Sequence, residues 1–171
     1  MCLRPACLVW ATVLVLGCSD GSGPTAPAAG RFQAQLSGAL NATLSGTSNG
    51  GAFATEDFPD GRFAIRMYAP QADTLRSVNI DCPGLARPEP GSYPIGSGME
   101  GCRGAYGRLF SSVSAGTIVL EHLSASSGQV VITVSTDGQL AGTFRFDGIL
   151  VADPDTVGPV TASGAFNAIL E

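Results

Sequence analysis

Residues 140–150 read LAGTFRFDGIL and residues 160–170 read VTASGAFNAIL. In the first stretch Leu140, Gly142, Phe144, Phe146, Gly148 and Leu150 share one side of an extended chain, with Thr143, Arg145 and Asp147 on the other. The second repeats the scheme, with Val160, Ala162, Gly164, Phe166, Ala168 and Leu170 on one side and Thr161, Ser163 and Asn167 outward. Neighbouring side chains of a strand point to opposite faces, so alternation with period two marks strands that bury one face.

The same rule extends outward from these two segments. Phe32/Ala34/Leu36, Ala42/Leu44, Phe63/Ile65/Met67, Val78/Ile80, Ile118/Leu120 and Val130/Ile132/Val134 alternate in short runs broken by Gly, Pro, Asn and Asp. No amphipathic helix competes with them. The predicted fold is all-β, an antiparallel sandwich or partly closed barrel of about nine strands, because open apolar edges invite aggregation. Glycines inside the strands suit a strongly curved sheet. Asp81–Gly107, with its prolines, glycines and two cysteines, reads as the irregular part.

Asp137-Gly138 is a hairpin signal, ordinarily a two-residue type I′ loop. That register sets Ile132 against Thr143 and Val131 against Phe144, with large apolar residues on both faces. A three-residue loop, Thr136-Asp137-Gly138 with Gly138 left-handed in a bulge, sets Val134 beside Leu140, Ile132 beside Gly142 and Val130 beside Phe144. A slip of one residue inverts every side chain, so the buried face selects the register and predicts the three-residue loop.

Composition narrows the function classes. With 171 residues the chain suits one domain with a real core. Gly and Pro are 34 of 171 residues, below the range of about 25–30% that marks low-complexity disorder. Charged residues are only 13%, and all nine cations are arginine. Nucleic-acid binding and polybasic membrane binding both need clustered cations, so neither is expected.

The amino end carries an address. Arg4 precedes Ala6–Leu16, an apolar run of 11 residues. A membrane-spanning helix needs about 20, whereas a signal peptide needs about this many. The run ends in Val15-Leu16-Gly17-Cys18, which resembles a bacterial lipobox. The resemblance implies that residues 1–17 are a signal peptide and that Cys18 becomes a lipidated amino terminus, bearing a thioether-linked diacylglycerol and an N-acyl chain. Three acyl chains exceed what stable anchoring requires. Ser19, rather than Asp, after the cysteine implies the outer membrane by the sorting rule of enteric bacteria. Residues 18–30, rich in Gly, Pro, Ala and Ser, read as a lipidated flexible tether, and residues 31–171 as a single β domain.

With Cys2 and Cys7 lost alongside the signal and Cys18 lipidated, Cys82 and Cys102 remain, and in an oxidising compartment they are expected to form one disulfide. A loop of about 20 residues closed in this way gains roughly 3 kcal/mol in the chain-entropy description. A metal site on the same pair lacks further ligands, since His122 is the only histidine. After processing, eight arginines face 14 acidic residues, a net charge of −6.

The remaining motifs carry little chemistry. Gly96-Ser97-Gly98-Met99-Glu100-Gly101 matches a dinucleotide fingerprint, but the following Cys-Arg-Gly-Ala-Tyr-Gly cannot sustain the required helix. Asp153 and Asp155 open a stretch like a calcium loop, yet Val157 and Gly164 stand where an EF-hand needs acids. A solvated hairpin is the reading there, with Asp153 and Asp155 as the metal candidates, and Glu56–Gly61 is similar. His122 has no G-x-S-x-G partner and reads as a strand-end histidine on the face of Ile118 and Leu120. Arg62 and Arg66 share a strand face that could grip an anion, with a solvated outer face as the default reading. No cofactor is expected.

Gly91–Ile95, Gly128–Thr133, Gly142–Phe146 and Val160–Asn167 together resemble the small all-β lipoproteins of unknown function found in Gram-negative bacteria. The resemblance spans residues 91–170 and implies fold and location, with no catalytic residues to carry over. The expected function is therefore a non-enzymatic, lipid-anchored envelope domain that binds an unknown protein or small molecule. One alternative is a carrier with an apolar cavity lined by Phe144, Phe146, Phe166 and Leu150. The other is a hydrolase built on two inward-facing carboxylates.

Overall fold

A computed structural model describes residues 26–46, 51–55, 62–84, 87–96, 101–112, 116–152 and 155–170. The described residues contain no helix and ten strands: β1 (Arg31–Gly38), β2 (Ala42–Ser45), β3 (Ala52–Thr55), β4 (Phe63–Gln71), β5 (Thr74–Cys82), β6 (Gly91–Gly96), β7 (Arg103–Ser112), β8 (Gly116–Thr136), β9 (Gln139–Ala152) and β10 (Asp155–Leu170). Cys18 and the lipobox, Asp153, all of Glu56–Gly61 and residues 97–100 of the Gly96–Gly101 motif lie outside the described residues.

The alternating segments fold as their pattern requires. In β9 the predicted inward set Leu140, Gly142, Phe144, Phe146, Gly148 and Leu150 is buried, and Arg145 is exposed. Phe144 and Phe146 stack with ring centroids 5.8 Å apart. In β10 Val160, Ala162, Phe166 and Ala168 are buried. Phe32, Leu36, Phe63, Ile65, Met67, Val78 and Ile80 join them in one core.

The three long strands run through two halves of the sheet. In one half the order is β6, β8, β9, β10, β1, β2, using the later part of β8 and of β10 and the early part of β9. In the other half β4, β5 and β7 lead to the early part of β8. The ladder returns from β4 through β3 to β10 by two pairs only, Ile169↔Phe53 and Leu170↔Ala54. That contact is parallel, as is a single bridge between Ile95 and Cys102, whereas the other ladders among the described residues are antiparallel. The sheet is thus a partial ring that stops short of a barrel.

Bulges reconcile straight alternation with this bend. Opposite its neighbours, β8 carries one extra residue at Leu120, at Ser126 and at Thr133. The Thr133 bulge corrects the expected hairpin. The loop has two residues, with Thr136 paired to Gln139, and Gly138 is not left-handed. The expected pairs Ile132↔Gly142 and Val130↔Phe144 nevertheless form, because the bulge supplies the change of parity that the longer loop was expected to supply. Val134 consequently meets Ala141 rather than Leu140 and is 36% exposed. The Leu120 bulge likewise separates Ile118 from His122, which end on opposite faces.

Two further expectations are corrected. Asp81–Gly107 is not simply irregular, since it contains β6 and the start of β7. Cys82 and Cys102 are disulfide-bonded with Cα atoms 4.1 Å apart, next to the last β5–β7 pair, Asp81↔Arg103. Beside this bond the main chains of Pro94, Gly96 and Cys102 exchange two hydrogen bonds, which hold β6 against the start of β7. Asn167 does not face solvent. It is buried, accepts a hydrogen bond from Gln139 Nε2 at 2.6 Å and donates one to the Pro27 carbonyl at 2.9 Å. Together with the Gly30 amide on the Asn167 carbonyl, this ties residues 27–30 to β10.

Gly164 lies between Ala34 and Phe144 in the ladder, and a Cβ there would sit 2.2 Å from the Gln33 carbonyl oxygen and 3.0 Å from the Phe144 ring. Gly138 has nothing within 4 Å. Gly164→Ala is therefore expected to destabilise the protein by about 2 kcal/mol, the scale of overpacking a filled site. Gly138→Ala should be neutral or stabilise by up to about 1 kcal/mol. Denaturant midpoints of the two variants check the contrast.

Candidate functional site

The outer face of β2–β1–β10–β9 is built from the polar half of each alternating segment. Register places Ser45, Gln33, Ala165 and Thr143 in one row, and Thr43, Gln35, Ser163 and Arg145 in the next. The small Ala165, 3% exposed, lies between Gln33 and Thr143. An open cleft of about 700 Å³ follows, lined by Gln33, Gln35, Thr43, Ser45, Thr143, Ser163 and Ala165, with Ala34, Phe144 and Gly164 completing it. None of the lining residues is charged. The lining therefore offers hydroxyl and amide donors and acceptors, with Arg145, opposite Ser163, as the charged residue of the two rows.

A second polar group sits on the inward face. Tyr106 lies opposite Val78 and Leu123, fully inside, and one step along the strands Arg108 lies opposite Arg76 and Glu121. The Tyr106 hydroxyl donates to Glu121 Oε2 at 2.7 Å, and Arg108 Nη1 donates to Glu121 Oε1 at 2.9 Å. Burial, reinforced by the Glu121 hydrogen bond and charge, pushes the Tyr106 hydroxyl well above its ordinary value; Arg76 and Arg108 oppose this only in part. Sequence reading missed this group, although Arg76 stands two residues before Val78 and four before Ile80, on the parity of the buried face.

The residues singled out from the sequence are dispersed. Arg66 is half-buried and bonds Asp81 at 2.6 Å across β4–β5, so it is occupied in an ion pair. Arg62 is half-buried just before β4. His122 is exposed, with its Nε2 3.0 Å from Ser124 Oγ. Asp155 is exposed at the start of β10. Among the described residues no group of three or more His, Cys, Asp or Glu gathers as a metal site would require, and no acid is buried in the core. Phe146 and Phe166 expose no surface, and Phe144 and Leu150 keep 3% and 2%. No water-sized space therefore adjoins Phe146 or Phe166, two of the four residues expected to line a carrier cavity. No protein-family profile, curated protein or solved structure matches the chain.

The Tyr106 environment makes a prediction with a definite sign. A hydroxyl whose proton is held more tightly in the folded than in the unfolded state stabilises the fold fully below the unfolded value of about 10, and that contribution is lost as pH rises further. Stability should thus fall on going above pH about 10, and less steeply in Tyr106→Phe. Urea unfolding of both proteins across the alkaline range measures the difference.

Proposed function

We propose that this chain is a non-enzymatic, lipid-anchored domain of a bacterial cell envelope, held through Cys18 and binding its ligand or partner on the outer face of β2–β1–β10–β9. The cleft carries the binding half of this reading. Its lining mixes uncharged hydroxyl and amide groups with a larger share of apolar surface, which suits an uncharged ligand that offers both hydrogen-bonding groups and apolar area. The packing around Phe146 and Phe166 favours a ligand held outside the body over one carried within it. The anchoring half rests on the sequence Val15-Leu16-Gly17-Cys18. From Cys18 to Pro27 an extended chain reaches at most roughly 30 Å, which keeps the cleft near the membrane surface.

Mass spectrometry of the detergent-extracted amino-terminal peptide from the native host is expected to begin at Cys18 and to carry a diacylglycerol plus one further acyl chain. An unmodified Cys18 removes the anchor from the proposal. For the cleft, Ser163→Arg places a long cationic side chain at a half-buried position of the lining, directly opposite Arg145. Native co-purification should then recover at least ~10-fold less ligand or partner than wild type, a loss of about 1.4 kcal/mol in binding. Equal recovery from a folded Ser163→Arg protein sinks the cleft.

A further inference from the structure

We propose that Arg76 and Arg108 form a binding site for a small oxyanion, a phosphate or carboxylate group, at the rim of the interior. Burial along the inward face of β5, β7 and β8 fades in one direction. Val78, Tyr106 and Leu123 are 0–1% exposed, Arg76, Arg108 and Glu121 are half-buried, and Ile118 is 44% exposed. The two arginines therefore stand where the core meets solvent. Their strands place them directly opposite each other, and like charges in that position repel.

Glu121 balances only one of the two charges. Both its oxygens are engaged, one by Arg108 and the other by Tyr106. The Arg76 side chain makes no hydrogen bond or ion pair with any described residue. The Nε of Arg76 and the Nε of Arg108 are each buried without an acceptor. Buried donors without acceptors are rare, and a surplus cation at a low-dielectric rim raises the local concentration of anions. Guanidinium groups present fixed forks of donors that match the oxygens of phosphate and carboxylate. An oxyanion between them relieves the cross-strand repulsion as well, whereas a neutral ligand gains nothing from the surplus charge and a cation is repelled. The site lies on the inward face and stands apart from the outer cleft.

Isothermal titration of the full chain in non-ionic detergent tests this with inorganic phosphate and, separately, with acetate, at an ionic strength fixed by sodium chloride. Saturable binding of at least one anion is expected, with a dissociation constant on the order of 1 mM. Binding of phosphate alone assigns the site to phosphate groups, and binding of acetate alone to carboxylates. Arg76→Gln removes one of two facing like charges, so it should fold, with an unchanged circular-dichroism spectrum, and bind at least ~10-fold more weakly. Saturable binding of neither anion overturns the proposal, as does undiminished affinity in folded Arg76→Gln.

Discussion

An inward apolar face carried along β8, β9 and β10, interrupted on β8 by Glu121, is the constraint on which the rest of the structure depends. These strands serve both halves of the sheet, so each must bend without rotating its large side chains outward. A strand repeats every two residues, and the only local means of changing parity is to insert an unpaired residue. β8 does this at Leu120, Ser126 and Thr133. Glycine does complementary work where two main chains crowd together, as at Gly164 between β1 and β9.

This explains which parts of the fold were legible in the sequence. Strands whose alternation runs without interruption, such as Phe144–Leu150 and Phe32–Leu36, show their buried face directly. The 136–139 turn illustrates the opposite case. The buried face does require a change of parity between Ile132 and Leu140, and sequence reasoning detects that need. It cannot say whether the extra residue sits in the loop or at Thr133, because both satisfy the same face. The same ambiguity misplaced Val134 and joined His122 to Ile118. Asn167 was misread because its outward side is covered by residues 27–30, which come from the distant end of the chain.

The two polar sites differed in legibility for a related reason. Every residue of the outer cleft lies on the polar side of an alternating strand, yet the cleft exists only when β2, β1, β10 and β9 are laid side by side. That neighbour order is set by long-range pairing and leaves no mark in any single segment. The arginine pair is different: Arg76 breaks the apolar pattern on the buried parity of its own strand, and such a break is itself a signal. The disulfide was readable because, on the lipobox resemblance, elimination left a single pair. The structure adds its location, beside the last rung between β5 and β7, at the point where the chain leaves to build β6.

The grip of Asn167 on Pro27 has a mechanical consequence. Everything upstream of Pro27 must depart from one fixed corner, where β10 also touches β3. A pull arriving there along β1 does not peel a loose end away rung by rung. It loads the eight residues of β1 in shear against β10, so their rungs share the force and give way together.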